Sequence, residues 1–240
     1  MTSRLGLTRI ELIATVALLI AVASVGVLLL RPVGSAGRVG DTGEPIISFD
    51  AVSLAPARAG AALPACPDGR RPPPAGPLAA VRLPCLGAPG VVNPAAGFAG
   101  KDALINLWAT DCAPCRAELP ALSAYATRRG AIPVLAVDQR DQPERALALL
   151  SDLKVKLPVV ADPVGAVPAA LHSPPALPLS YLLRADGSVS PVWPPVPFAS
   201  ADDVAVAVAR LRGAPHPGTA SPVPAGASVP SPSPSAPAGS

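Results

Sequence analysis

Cys112 and Cys115 stand three positions apart in Asp111-Cys112-Ala113-Pro114-Cys115-Arg116, directly after the apolar run Ala103-Leu104-Ile105-Asn106-Leu107-Trp108. Between a buried strand and the start of a helix, a pair at this spacing can do thiol–disulfide chemistry. The first sulfur meets the free N–H groups and the positive end of the helix, which favour thiolate over thiol. The second lies about one turn further on and can close a ring with it. Dithiol and disulfide then interconvert through a mixed disulfide, with Cys112 attacking and Cys115 resolving.

Other uses of such a pair compete. Zinc requires further ligands, but Cys66 and Cys85 are distant in sequence and His172 and His216 show no ligand spacing, so no metal is expected. Haem attachment requires His directly after the second cysteine, where Arg116 stands. A purely structural disulfide remains open. The four cysteines allow three pairings. Giving Cys112 and Cys115 to the redox pair leaves Cys66–Cys85 as a structural disulfide closing a loop rich in Pro and Gly. In the chain-entropy picture that closure contributes roughly 3 kcal/mol.

The elements that must position the pair follow from periodicity. Ala103 to Trp108 reads as a strand covered on both faces. The spacing predicts a helix from Cys112 to Arg128, with Leu119, Leu122 and Tyr125 facing inward and a kink at Pro120. Ile132 to Val137 reads as a second strand ending in Asp138. A helix starts at Asp141-Gln142-Pro143-Glu144 and continues through Leu153. Leu179 to Leu183 and Ser188 to Trp193 read as a hairpin turned by Ala185-Asp186-Gly187, with Pro191 marking an edge strand. Ser200 caps a last helix, Ala201 to Arg212, and Gly213 stops it. A parallel half followed by an antiparallel half predicts an α/β fold with a mixed central sheet flanked by helices.

Around this domain the 240-residue chain carries other material. Leu12 to Leu30 has no charged residue and is about as long as a bilayer core requires, so residues 1–33 read as a short cytoplasmic segment and a transmembrane anchor. Cleavage near Ser35-Ala36-Gly37 is the alternative. Residues 34–79 read as linker and Pro-rich extension containing Cys66, residues 80–212 as the domain, and residues 213–240 as a disordered Pro/Ser/Ala tail. The cysteine usage places the domain on the extracytoplasmic side of the cell membrane. A net charge of +3 without a basic cluster excludes nucleic acid as an evident partner.

The run Asn106-Leu107-Trp108-Ala109-Thr110-Asp111-Cys112-Ala113-Pro114-Cys115-Arg116-Ala117-Glu118-Leu119-Pro120 resembles the active-site signature of thioredoxin-fold proteins. It is closest in kind to the membrane-anchored extracytoplasmic thiol-disulfide oxidoreductases of the TlpA/ResA type. Ala176-Leu177-Pro178-Leu179-Ser180-Tyr181 is similar to that family's segment in which a cis-proline faces the dithiol. The resemblance covers roughly Ala80 to Arg212. It implies a thioredoxin-like fold without cofactor, Cys112 as nucleophile, Cys115 as resolving thiol and Pro178 as the cis-proline. Leu177, beside it, would pair through its backbone with substrate. Trp108, Asp111 and Pro114 flank the dithiol as further candidates for the substrate site, Trp108 also reading as a packing residue. Asn106 stands where thioredoxins proper carry a buried acid. Glu118 matches the acidic position of the extracytoplasmic branch and is a candidate for deprotonating Cys115, a solvated helix residue being the plain alternative. Asp111 departs from the family's usual aromatic or small residue, and its charge should raise the Cys112 pKa.

The resemblance implies an enzyme that reduces disulfides of exported cysteine-containing proteins, including apocytochrome c, with electrons relayed from a membrane donor. Two alternatives stay open: a thiol oxidase of the same fold, and a non-catalytic binding module.

Overall fold

The computed structural model describes residues 52–213. The predicted anchor Leu12–Leu30, the linker from Gly34 to Gly43 and the tail beyond Gly213 lie outside the described residues. Among the described residues no helix is long and apolar enough to cross a membrane.

Five strands form one sheet in the order β5-β4-β3-β6-β7: β3 (Ala103–Trp108), β4 (Val134–Gln139), β5 (Val159–Asp162), β6 (Leu179–Leu183) and β7 (Val189–Pro191). The first three run parallel, and β6 and β7 add antiparallel to the other side of β3. All six residues of β3 are buried, as befits a central strand with both faces covered. Alternation then sorts side chains between two cores. Leu104 and Trp108 meet α3 (Ala113–Ala126), α4 (Pro143–Asp152) and α6 (Ala201–Gly213) through Leu119, Leu122, Leu147, Leu150, Val204 and Val208. Ile105 and Leu107 face the opposite core with Leu78, Leu83, Ala95 on α2 (Pro94–Gly97), Phe98, and Val167 on α5 (Ala166–Leu171). Each fully buried Leu or Val there contributes roughly 1.5–3 kcal/mol relative to exposure. Asn106 falls between Leu104 and Trp108 on the helix-covered side, which is what brings it under α3.

The expected helices over α3, α4 and α6 are present, and β6 matches its predicted bounds. α3 continues through Pro120. Other features differ. The second strand begins two residues later than expected, because Ile132 N–H is taken by Tyr125 Oη at 3.1 Å and pairing with β3 starts at Val134. Asp138 therefore lies inside the strand. β5 and α5 have no counterpart among the expected elements: Val159–Asp162 is only four residues long, lies between Pro158 and Pro163, and has no alternation to announce it.

Residues 52–79, expected to be linker and extension, are packed onto the domain. In α1 (Ala55–Ala61) and around it, Leu54, Ala61, Leu63 and Leu78 are buried. Arg58 Nε donates to Leu86 O at 2.9 Å, and Lys156 Nζ donates to Ala61 O at 2.6 Å. Cys66 and Cys85 are joined in a buried disulfide with Cα atoms 5.9 Å apart. Next to it a small hairpin, β1 (Leu83–Pro84) and β2 (Val91–Val92), leads Cys85 to bridge Val160 and Leu86 N–H to Val159 O at 2.8 Å. The outer edge of β5 is thereby covered, which removes an open strand edge.

Candidate active site

β3 delivers the chain to the site and α3 carries it away. Cys112 is the N-cap of α3, with extended backbone (φ −83°, ψ 99°), and its Sγ accepts from Cys115 N–H at 3.2 Å. Sulfur thus occupies the place an Asp or Ser oxygen takes at an ordinary helix start, where negative charge is favoured. Pro114 fits the first turn, which needs no N–H from it. Cys112 and Cys115 are disulfide-bonded with Cα atoms 5.2 Å apart. Cys112 is half-buried while Cys115 is fully buried, so only the first sulfur is open to attack from outside. The four cysteines form two separate disulfides and do not gather into a four-sulfur zinc site.

One helical turn beyond Cys115, Glu118 is 1% exposed, which replaces the reading of a solvated helix residue. Its Oε1 accepts from Asn106 Nδ2 at 2.6 Å and its Oε2 from Phe198 N–H at 3.1 Å. Asn106 Nδ2 also donates to Ser180 Oγ at 3.1 Å. Burial pushes the Glu118 carboxyl up to about 7, against the opposing pull of the Phe198 and Asn106 hydrogen bonds. A buried acid whose carboxyl is held near 7 therefore sits one helical turn beyond Cys115, with Asn106 on the strand as its donor.

The Leu177–Pro178 peptide bond is cis. Pro178 is buried at the start of β6, and β6 pairs with β3, so the cis bond lies at the β3 end that leads into the dithiol turn. Leu177 and Asp111 line one groove of about 670 Å³ with Arg140, Pro168, Ala176 and Leu179. Asp111 and Pro114 are exposed. Trp108 does not belong to this surface: it is 0% exposed and packs in the core with Leu104, Cys115 and Leu119, so the substrate-contact reading is corrected to a packing role. Sequence reasoning did not single out Ser180, Phe198 or Arg140. Phe198 enters through its backbone N–H, for which no sequence signal exists.

The AhpC/TSA family model matches residues 92–191. The chain is 34% identical over 97 residues to the thiol:disulfide interchange protein CycY of Rhizobium leguminosarum bv. viciae, covering 39% of this chain and 50% of that protein. It is 38% identical over 74 residues to the thiol:disulfide interchange protein HelX of Rhodobacter capsulatus, covering 31% and 41%. The chain thus spans half or less of the length of these relatives. Among solved structures, a secreted Mycobacterium tuberculosis disulfide oxidoreductase homologous to E. coli DsbE has a TM-score of 0.48 at 25% identity, covering 54% of this chain and 95% of that one. A mixed sheet, a helix opened by the disulfide-bonded Cys112–Cys115 pair and the cis Pro178 ahead of β6 are in keeping with the similarity of residues 92–191 to the AhpC/TSA family model.

Proposed function

We propose that this chain is an extracytoplasmic thiol-disulfide oxidoreductase, anchored in the cell membrane by residues 12–30, that reduces disulfides in exported cysteine-containing proteins. The carrying observation is the asymmetry of the dithiol: a half-buried Cys112 capping α3, and a buried Cys115 one turn from a buried carboxyl. In the reduced form, the Cys112 thiolate attacks one sulfur of the substrate disulfide, forms a mixed disulfide and releases the other substrate sulfur as a thiolate. Glu118 takes the Cys115 proton. The Cys115 thiolate then attacks Cys112 Sγ, closing the ring and releasing the second substrate thiolate. Two electrons have passed to the substrate, and a membrane dithiol donor must return the ring to the dithiol. The Leu177 backbone beside cis Pro178 offers an edge for an extended substrate segment.

The names of the CycY and HelX relatives support thiol:disulfide interchange as the reaction class. Apocytochrome c is the substrate proposed from the family resemblance. Asp111, exposed beside Cys112, supports the reductive direction, because its charge disfavours the thiolate and so does not stabilise the dithiol state. The test is turnover of a protein disulfide by the full chain, lost in Cys112→Ser, together with the potential of the pair in a thiol-disulfide buffer. A value near about −270 mV supports a reductase; one near about −120 mV makes the chain an oxidant and overturns the direction. Turnover insensitive to Cys112→Ser would leave a non-catalytic binding module as the better account.

A further inference from the structure

The three parallel strands end on the same side of the sheet. Trp108 on β3 is level with Asp138 on β4, and Gln139 on β4 with Asp162 on β5. β3 runs on into Asp111 and Cys112, β4 into Arg140, and β5 into Gly165 and α5. In open α/β sheets, ligands bind outside such carboxyl ends of the strands. Here the ends enclose the groove that Asp111 and Leu177 share with Arg140, and these two, Asp111 and Arg140, are the charged residues among those lining it. Arg140 is fixed at its backbone and free at its head. Its N–H donates to Asp162 O at 3.1 Å, and it takes φ +57°, a conformation that few residues other than glycine adopt. The exposed guanidinium lies against Gly165: a Cβ on that residue would stand 2.7 Å from Nη2 and 3.3 Å from Nε, so the glycine leaves the room it occupies. The neighbouring Asp162 carboxylate is already taken, Oδ1 by Ala166 N–H at 2.7 Å and Oδ2 by Val167 N–H at 2.8 Å and Gln139 Nε2 at 3.3 Å. Among the described residues the ion pairs are Arg128–Asp202 and Arg212–Asp102, and no group accepts from the Arg140 guanidinium.

We propose that Arg140 is a specificity-determining residue: it binds a carboxylate of the substrate, so the groove selects cysteine-containing segments that carry an acidic side chain near their cysteine. The use of this preference in disulfide reduction rests on the oxidoreductase reading. An extended segment that pairs with the Leu177 backbone while its cysteine meets Cys112 lies along the groove, with alternate side chains on one side. Apolar side chains of the segment meet Pro168, Ala176 and Leu179. A Glu or Asp side chain meets the planar guanidinium, which can take both carboxylate oxygens at once. Asp111, directly before Cys112, repels an acid placed at the reacting cysteine itself. The groove therefore has a negative pole beside the sulfur and a positive pole at the end of β4.

The test uses the oxidised full chain and peptides with serine in place of the reacting cysteine, in which a single Glu or Gln is moved position by position on either side of it. The Leu177 amide shift in NMR reports binding. At one position the Glu peptide should bind about fivefold more tightly than its Gln counterpart at low salt, as a partly exposed ion pair allows, and salt should erase the difference. Arg140→Lys should keep part of the preference, Arg140→Gln should abolish it, and Arg140→Glu should reverse it in favour of a Lys peptide. No Glu peptide outbinding its Gln counterpart, or a Glu preference unchanged in Arg140→Gln, would overturn the proposal. With the reduced chain, peptides whose cysteine is held in a mixed disulfide with 2-mercaptoethanol should show the same preference in the rate of attack by Cys112. The peptide then becomes bonded to Cys112 and mercaptoethanol leaves as its thiolate. Attack at equal rates on Glu and Gln peptides would also overturn the proposal. A binding preference without any attack would instead count against the oxidoreductase reading alone, so the two proposals fail separately.

Discussion

Glu118 has exchanged hydration for two donors, Asn106 and Phe198, and the exchange is incomplete, which is why burial holds its carboxyl near 7. A base with that affinity loses its proton-accepting form as pH falls through neutrality. Glu118→Gln should slow resolution of the mixed disulfide by about 100-fold or more and remove the inflection near pH 7, leaving the first attack by Cys112 unchanged. Single-turnover kinetics with a mixed-disulfide trap separates the two steps; equal slowing of both would show that Glu118 acts on something other than Cys115. Asp111 acts on the other sulfur. Its carboxylate precedes Cys112 and faces solvent, so its effect is screened. Asp111→Trp should lower the Cys112 pKa, read from the pH dependence of alkylation. An unchanged or raised value would refute this account of Asp111. The types and spacing of Cys112, Cys115 and Glu118 are legible in the sequence, because helix geometry fixes neighbours three residues apart. The burial of Glu118 is not, since one covering partner, Phe198, is 80 positions away.

The elements divide into those that announce themselves and those that borrow their stability. β3, α3, α4, β6 and α6 carry their own signals: continuous apolar runs, inward residues at helical spacing, Pro at a helix start and an Asp-Gly turn whose Gly187 takes φ +89°. β5 does not, and the segment around α1 reads as linker because little in its composition marks a buried face. Contacts made far along the chain hold it: Arg58 to the carbonyls of Leu86 and Cys85, Lys156 to Ala61, and the Cys66–Cys85 disulfide. The bridge ties this segment to the covered edge of β5. Cys66→Ala with Cys85→Ala should therefore cost about 3 kcal/mol in urea unfolding. The Cys112–Cys115 redox couple should survive, since neither core face loses a large side chain. Stability unchanged by the double substitution would mean that the packing of Leu54 and Ala61 suffices without the bridge.

Across the whole molecule, two buried acids set a pH dependence that runs opposite to that of a chain held by paired carboxylates. Glu118 rises from 4.5 to about 7 and Asp138 from 3.8 to about 9 on folding. Between those values the native state binds more protons than the unfolded state, so stability falls as pH rises. The slope is up to about 1.4 kcal/mol per pH unit for each group inside its own window. Unfolding of the oxidised chain should show lower stability at about pH 8 than at about pH 5, and Asp138→Asn should flatten the decline. A flat or rising profile would contradict the protonated state of Asp138. The dithiol, its place between strand and helix and the mixed sheet follow from the amino-acid sequence alone, because strand alternation, helix spacing and turn chemistry are local rules, whereas the cis-proline reading of Pro178 comes only from the resemblance of its segment to a known family. Long-range packing settles the rest: Trp108 is buried rather than offered to substrate, and residues 52–79 belong to the domain. Packing also shuts Glu118 and Asp138 away from water, because burial and the donors a carboxyl meets come from segments far apart in the chain.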